Sequence, residues 1–496
     1  MASTLYRVGS VHGHPGADAL LEEGGRIAWL GPAAGAPGAD RTIDHRDGWL
    51  APAFVDAHVH VTSTGLALTG LDLTGCRNLT EALRRLEDQV RRVRGGVVLG
   101  TGWDETAWPE QRPPTARELD RASAGGVVYL ARTDVHSAVA SSALLAAVPG
   151  VAGLPGFLGD GLVRQQAHHA VRRAALASIS GGQRTAAQVA ALDRLAAVGI
   201  AAAHECAGPD ISGEQDLLSL LALEHGVQRV GYWGELGAVD KARELGAVGA
   251  AGDLFVDGAI GSHTACLAEP YADADSTGHC YVSVDEVADH VRACTLAGMQ
   301  AGFHAIGDAA IGIVTDAFDG VAAELGVDRV QQARHRVEHL ELVNDEQIAV
   351  LASCGVIASV QPAFDARWGG PGGMYATRLG PGRAAGMNPL RALLDAGVVL
   401  ALGSDSPVTE PDPWGGVRAA VAHRTPGSGI TVAEAFYAHT DGGRAAAGAD
   451  LPLHVGALAT FAVWALEGPL VDGLPDLREP LPTCLTTVVG GVAAFG

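Results

Sequence analysis

The chain has 496 residues, 48% of them apolar and 18% charged, which is enough apolar material for a large core and too much for extended disorder. A formal net charge of −22 argues against nucleic acid or an anionic membrane as partner, and no uninterrupted apolar run nears the roughly 18 residues of a membrane span. The length exceeds the usual single domain, so one large domain beside a smaller one is expected.

Short alternating segments at 5–8 and 26–30, with Gly and Pro between them, predict a small β domain in residues 1–51. The apolar run 49–55 reads as a strand buried on both faces, as in a parallel barrel. It leads into His58 and His60. In an extended chain the i, i+2 spacing sends both imidazoles to one face, where they can grip a single cation. The carboxyl end of such a strand is where barrel enzymes keep their chemistry. Histidines two apart also occur as ordinary structural residues, so the weight falls on later stations.

From 52 to 450, Ala-rich helical patterns alternate with short apolar runs, the signature of an α/β barrel. Residues 187–198, stopped by Gly199 and followed by the strand-like 200–203, are the clearest case. His304 ends a strand-like stretch and enters a Gly-containing turn, His339 ends the segment 334–339, and Asp405 ends the buried run 397–405. The offsets are 35 residues from His304 to His339 and 66 from His339 to Asp405. These match one and two strand–helix units when eight units fill about 250 residues. The run 356–361 supplies the seventh strand, so the stations fall on strands one, five, six and eight of a (β/α)8 TIM-type barrel. Strand-like 457–464 and 486–492 allow residues 451–496 to join 1–51 in a small β-sandwich domain, leaving 52–450 as the catalytic barrel. Seven scattered cysteines without a CxxC predict reduced thiols in a cytoplasmic protein.

The motifs around Asp257-Gly258-Ala259-Ile260-Gly261-Ser262, His304-Ala305-Ile306-Gly307-Asp308, Arg336-Val337-Glu338-His339 and Gly403-Ser404-Asp405-Ser406-Pro407-Val408 resemble the amidohydrolase superfamily. They are most similar to its family 3, the YtcJ-like branch that includes N-substituted formamide deformylases, and the likeness covers nearly the whole chain. It implies a small-molecule hydrolase with metal ligands His58, His60, His304, His339 and Asp405. Nitrogen and carboxylate donors suit one or two Zn²⁺ ions, and Fe²⁺, Mn²⁺ or Co²⁺ would fit the same set. With one ion the expected inner ligands are His58, His60, His304 and Asp405, leaving His339 to orient substrate or shuttle a proton. With two, His304 and His339 hold the second. Asp405 is the expected proton acceptor for the attacking water.

Two-metal members of that superfamily commonly bridge their ions with a carboxylated lysine on strand four. Here the single lysine is Lys241, in the amphipathic pattern 238–245. Counting back from Asp257, as the resemblance directs, puts Asp253 in its place. Glu205 and Cys206 are rival bridges, and a turn-capping Asp is the plain alternative. Trp103, Asp104, Asp134 and His136 resemble family positions near the pocket, as does Gln361. Phe364 stands where many members carry a histidine, with the Gly-rich 369–373 beyond Trp368 as a lid. Arg336 is expected to pair with a carboxylate that fixes its strand end. The expected reaction is hydrolysis of a non-peptide C–N bond in an N-substituted amide or formamide. A mononuclear-type deaminase of a heterocycle and, given the missing lysine, a non-catalytic binding or regulatory barrel are the alternatives. A homodimer is an open assembly.

Overall fold

Buried apolar runs separated by helices form eight parallel strands in this computed structural model, which describes residues 2–93, 95–105, 108–132, 137–209, 211–449 and 453–496, without the side chain of Gln165. In barrel order they are Phe54–Val59, Ile200–Ala207, Gln228–Trp233, Gly249–Ala250, Gln300–Ala305, Arg336–His339, Ile357–Val360 and Leu400–Leu402. All but the third are buried along their whole length, as strands covered on both faces must be. The barrel closes between its first and last strands. The Asp405 N–H donates to the His58 carbonyl at 2.8 Å, and the His60 N–H donates to the Ser406 carbonyl at 3.0 Å.

Local signals place the strands. The helix Val284–Ala297 begins with a capping box between Ser283 and Glu286 and stops at Gly298 in the left-handed region (φ 63°), which delivers the strand bearing His304. The fourth strand is only two residues long. Beyond it the His304 N–H donates to the Leu254 carbonyl at 2.9 Å, and the Val256 N–H to the His304 carbonyl at 3.0 Å, so Asp253 is held beside the fifth strand.

The apolar run after residue 49 divides between two sheets. Arg41–Pro52 belongs to a seven-stranded sheet, where it pairs antiparallel with Phe461–Ala465, and Phe54–Val59 starts the barrel. Both ends of the chain thus share one sheet, packed on Tyr6, Leu20, Ile27, Leu50, Phe461 and Val488. Residues Thr62–Ala191, between the first and second barrel strands, form a compact unit of their own. It has a five-stranded sheet and a core that includes Leu86, Trp103, Trp108, Leu119 and Leu130. Its α/β alternation resembles that of the barrel segments before and after it in the sequence, which is why periodicity alone does not separate the two.

The cysteines differ from expectation. Cys266 and Cys280 form a disulfide, while Cys76, Cys206, Cys294, Cys354 and Cys484 are free and buried. Nothing in the 14-residue spacing announces the pair, which the fold brings together in the irregular segment after strand four. Among the described residues, no helix is long and apolar enough to cross a membrane.

Candidate metal centre

Five side chains from four barrel strands converge at the carboxyl rim. His58 Nε2 lies 3.5 Å from Asp253 Oδ1 and 3.5 Å from Asp405 Oδ1. His60 Nε2 lies 3.2 Å from Asp253 Oδ2 and 3.2 Å from Asp405 Oδ1. His339 Nε2 is 3.9 Å from Asp253 Oδ1. In each of the sets His58/His60/Asp253 and His58/His339/Asp405, one donor atom per residue lies within 4.8 Å of the others. His304 stands one step aside, its ring 4.5 Å from that of His339 and its Nδ1 3.5 Å from Asp257 Oδ1.

The surrounding hydrogen bonds choose which nitrogen faces the centre. His58 Nδ1 donates to Glu338 Oε2 at 2.8 Å, and His339 Nδ1 donates to Gln361 Oε1 at 2.7 Å. Both rings therefore turn an Nε2 lone pair inward, the arrangement that metal-binding histidines require. Glu338 is held in turn by Arg336, with Nε donating to Oε1 at 2.6 Å and Nη2 to Oε2 at 2.8 Å. Arg336 also reaches the Ala57 carbonyl and Ser359 Oγ, and lies over the Tyr232 ring at 4.4 Å. Asp56 accepts from the Ser404 N–H and Oγ at 2.8 and 2.6 Å, which joins strand one to the segment carrying Asp405. Asp257 accepts from the backbone N–H groups of Ile306, Gly307 and Cys266 at 2.8–3.0 Å and so fixes the turn after His304.

The electrostatics call for positive charge. Burial opposes protonation of His58 and His60, yet Asp253 and Asp405, with Cys206 beside His58, outweigh it and raise both pKa values well above the usual histidine range. Burial likewise pushes Asp253 and Asp405 up, and the imidazoles around them overcome it and hold both low. His58 Nε2 and Asp253 Oδ1 are buried and make no hydrogen bond within the protein. Orphaned polar atoms facing one point are costly unless something binds them, and this donor set fits a divalent cation. His339 (φ 75°), Leu340 (φ 50°) and Asp405 (φ 52°) adopt the left-handed backbone that non-glycine residues rarely take, at a cost of order 1–3 kcal/mol each.

The remaining predicted residues fall in different places. Gln361 is turned to His339, and Phe364 stacks on the same ring at 6.0 Å. Trp103 is enclosed in the core of the inserted unit, with Nε1 donating to the Leu130 carbonyl at 2.8 Å. Asp134 and His136 lie outside the described residues. Glu205 accepts from the Val61 N–H at 2.7 Å, and burial pushes its pKa up to about 7. Cys206 Sγ lies within 4.8 Å of donor atoms on His58 and Glu338. Glu338 and Asp56 were not singled out from the sequence. Their signal is a charge at i−1 of His339 and i−2 of His58 inside strands that are buried along their whole length. A cavity of about 620 Å³ opens beside the centre, lined by Asp253 and Asp257 with Leu236, Leu254, Phe255 and Tyr281.

Fold and rim together define a (β/α)8 barrel with a histidine–carboxylate centre at the carboxyl ends of its strands. The chain belongs to the amidohydrolase family, whose model matches residues 41–495. It is 26% identical over 443 residues to the protein YtcJ of Bacillus subtilis, covering 82% of this chain and 79% of that one. It is also 26% identical over 475 residues to N-substituted formamide deformylase of Arthrobacter pascens, covering 86% and 85%. Among solved structures, an uncharacterized metal-dependent hydrolase from Pyrococcus furiosus superposes with a TM-score of 0.78 at 26% identity, covering 93% of this chain and 98% of that one.

Proposed function

We propose that the protein hydrolyses a C–N bond other than a peptide bond, in an N-substituted amide or formamide, using a divalent cation held by His58, His60, Asp253, His339 and Asp405. The observation that carries this is the pair of buried, unbonded donor atoms, His58 Nε2 and Asp253 Oδ1, in the midst of three further ligand-type side chains. The two donor sets share His58, which favours one tightly held ion, and the nitrogen and carboxylate donors favour Zn²⁺. When bound, such an ion brings the pKa of a water down to about 7 and polarises a carbonyl oxygen. Asp405 is the group on this chain placed to take a proton from the attacking water and return it to the leaving nitrogen. Gln361 fixes the His339 ring so that its Nε2 stays turned to the ion, and His304 beside it orients the carbonyl. Asp253 takes the position at the end of strand four and offers two oxygens, Oδ1 towards His58 and His339 and Oδ2 towards His60.

The choice of bond draws on the deformylase relative and on the apolar walls of Leu236, Leu254 and Phe255, which suit a hydrocarbon substituent rather than a peptide chain. The test is formate release from a panel of N-alkyl- and N-benzylformamides, run alongside elemental analysis of the purified protein. The expected result is about one equivalent of zinc and turnover that stops on chelation and returns with Zn²⁺. Ammonia release from aminated heterocycles in place of formate would mark a deaminase. Protein that takes up no metal and turns over neither class would mark a binding barrel.

A further inference from the structure

Between barrel strand four and the helix Val284–Ala297 the chain runs through a long irregular segment, residues 251–283. Irregular stretches of that length inside a compact domain are commonly functional. This one supplies Leu254, Phe255, Asp257, Gly258 and Tyr281 to the cavity of about 620 Å³ beside the centre. Those residues come from its two ends, so that wall stands only while the ends stay together. The Tyr281 N–H donates to the Val256 carbonyl at 2.8 Å, at a half-exposed side chain. A covalent tie backs this hydrogen bond. Cys280, which precedes Tyr281, is bonded to Cys266, and the Cys266 N–H donates to Asp257 Oδ2 at 2.8 Å. Between these anchors the Phe255 ring lies 4.8 Å from that of His304. The bridge thus joins the far wall of the cavity to the near one. Accessibility also sets the pair apart. Cys266 and Cys280 are both partly exposed, whereas the free thiols of Cys76, Cys206, Cys294, Cys354 and Cys484 are buried. Exchange requires a thiolate to reach a sulfur atom, so an incoming dithiol meets this bridge before any other sulfur in the described chain.

We propose that the Cys266–Cys280 bridge is a thiol-exchange site that governs substrate binding: closed, it holds Tyr281 at the cavity, and opened by a dithiol, it releases that wall. In the opening reaction a thiolate of the dithiol attacks one sulfur of the bridge, forming a mixed disulfide and freeing the other cysteine. The second thiol of the reagent then displaces the remaining cysteine. Cys266 and Cys280 end as thiols, having gained two electrons and two protons, and the dithiol ends as a disulfide. The metal ligands are fixed independently of the bridge, His58 by Glu338 and His339 by Gln361, and Asp257 keeps the N–H groups of Ile306 and Gly307. Opening therefore weakens the grip on substrate and leaves the centre assembled. The effect on turnover rests on the hydrolysis proposed for the same rim.

The test equilibrates the zinc-loaded full chain with dithiothreitol over a graded series of reduced-to-oxidised ratios, and counts the thiols of Cys266 and Cys280 by alkylation and mass spectrometry. Hydrogen exchange of residues 253–258 and 279–283 and the KM for formate release from N-alkylformamides are followed in the same samples. As the bridge opens, exchange in both stretches should quicken about tenfold and KM should rise about tenfold, with kcat changed by less than about twofold and everything restored on reoxidation. Cys280→Ser should show the open behaviour at every ratio. A dithiol that acted by stripping zinc would alter that variant as well, and such a result would overturn the proposal. An open bridge with exchange and KM as before, global unfolding on opening, or cysteines that stay unpaired at the oxidised limit would also overturn it. Faster exchange on opening without formate release from any formamide would keep the exchange site and remove the reaction. Formate release indifferent to the state of the bridge would do the reverse.

Discussion

At the scale of single residues, the centre depends on rings whose outer nitrogens are already committed. Replacing Gln361 by Met keeps the side-chain length but removes the acceptor for His339 Nδ1–H. Metal affinity, measured by competition with a chromogenic chelator, should fall about 10–100-fold, and an unchanged affinity would show that something else sets the ring. Histidines outside the centre behave in the opposite sense. His335 is buried between the Ala301 N–H and Thr295 Oγ1, and burial, aided by His290, brings its pKa down to about 3. The unfolded chain takes up that proton near pH 6.5 and the folded chain does not. The contribution is therefore fully present above about pH 6.5 and is lost as pH falls, at roughly 1.4 kcal/mol per unit until the folded ring titrates near 3. Chemical denaturation from pH 7 to 4.5 should show this acid loss, and His335→Gln should remove one proton's worth of the slope. The histidines of the rim are visible in the sequence because strand alternation puts His58 and His60 on one face. The left-handed backbone at His339 and Asp405 is not visible, since Asp and His are enriched at positive φ yet adopt it at only a small minority of their positions.

At the scale of elements, the joint between barrel strands one and eight sets the distance between the His58/His60 pair and Asp405. Gly403 sits in that joint, where an added Cβ would lie 2.5 Å from the His58 backbone nitrogen and 3.1 Å from Asp56 Oδ1. Backbone cannot swing aside as a side chain can. Gly403→Ala should destabilise the fold by about 1–3 kcal/mol and lower metal occupancy at the same time, which melting and elemental analysis can follow together. Full stability and occupancy in that variant would mean that the joint does not control the centre. The strands themselves were legible from buried runs ended by His304, His339 and Asp405. Strand four was not, because two residues carry too little pattern. Asp253 entered through the position of the lysine in a resembling family, and the Leu254–Val256 pairing with His304 is what holds it at the rim.

At the scale of the whole molecule, alternating helices and strands foretold a barrel flanked by strands from both termini, and the eight parallel strands and the shared seven-stranded sheet bear that out. The separate unit Thr62–Ala191 is not legible in the sequence because its strands and helices follow the same rhythm as the barrel. The Cys266–Cys280 bridge stayed hidden because pairing is a property of the fold. The proposed enclosure of one divalent cation by distant stretches of the chain is open to anomalous diffraction from crystals grown with zinc, recorded on both sides of the zinc absorption edge. A single strong peak is expected about 2.0–2.2 Å from donor atoms of His58, His60, Asp253, His339 and Asp405. A zinc peak elsewhere on the protein, with these five side chains unchanged and bonded only to one another, would contradict it.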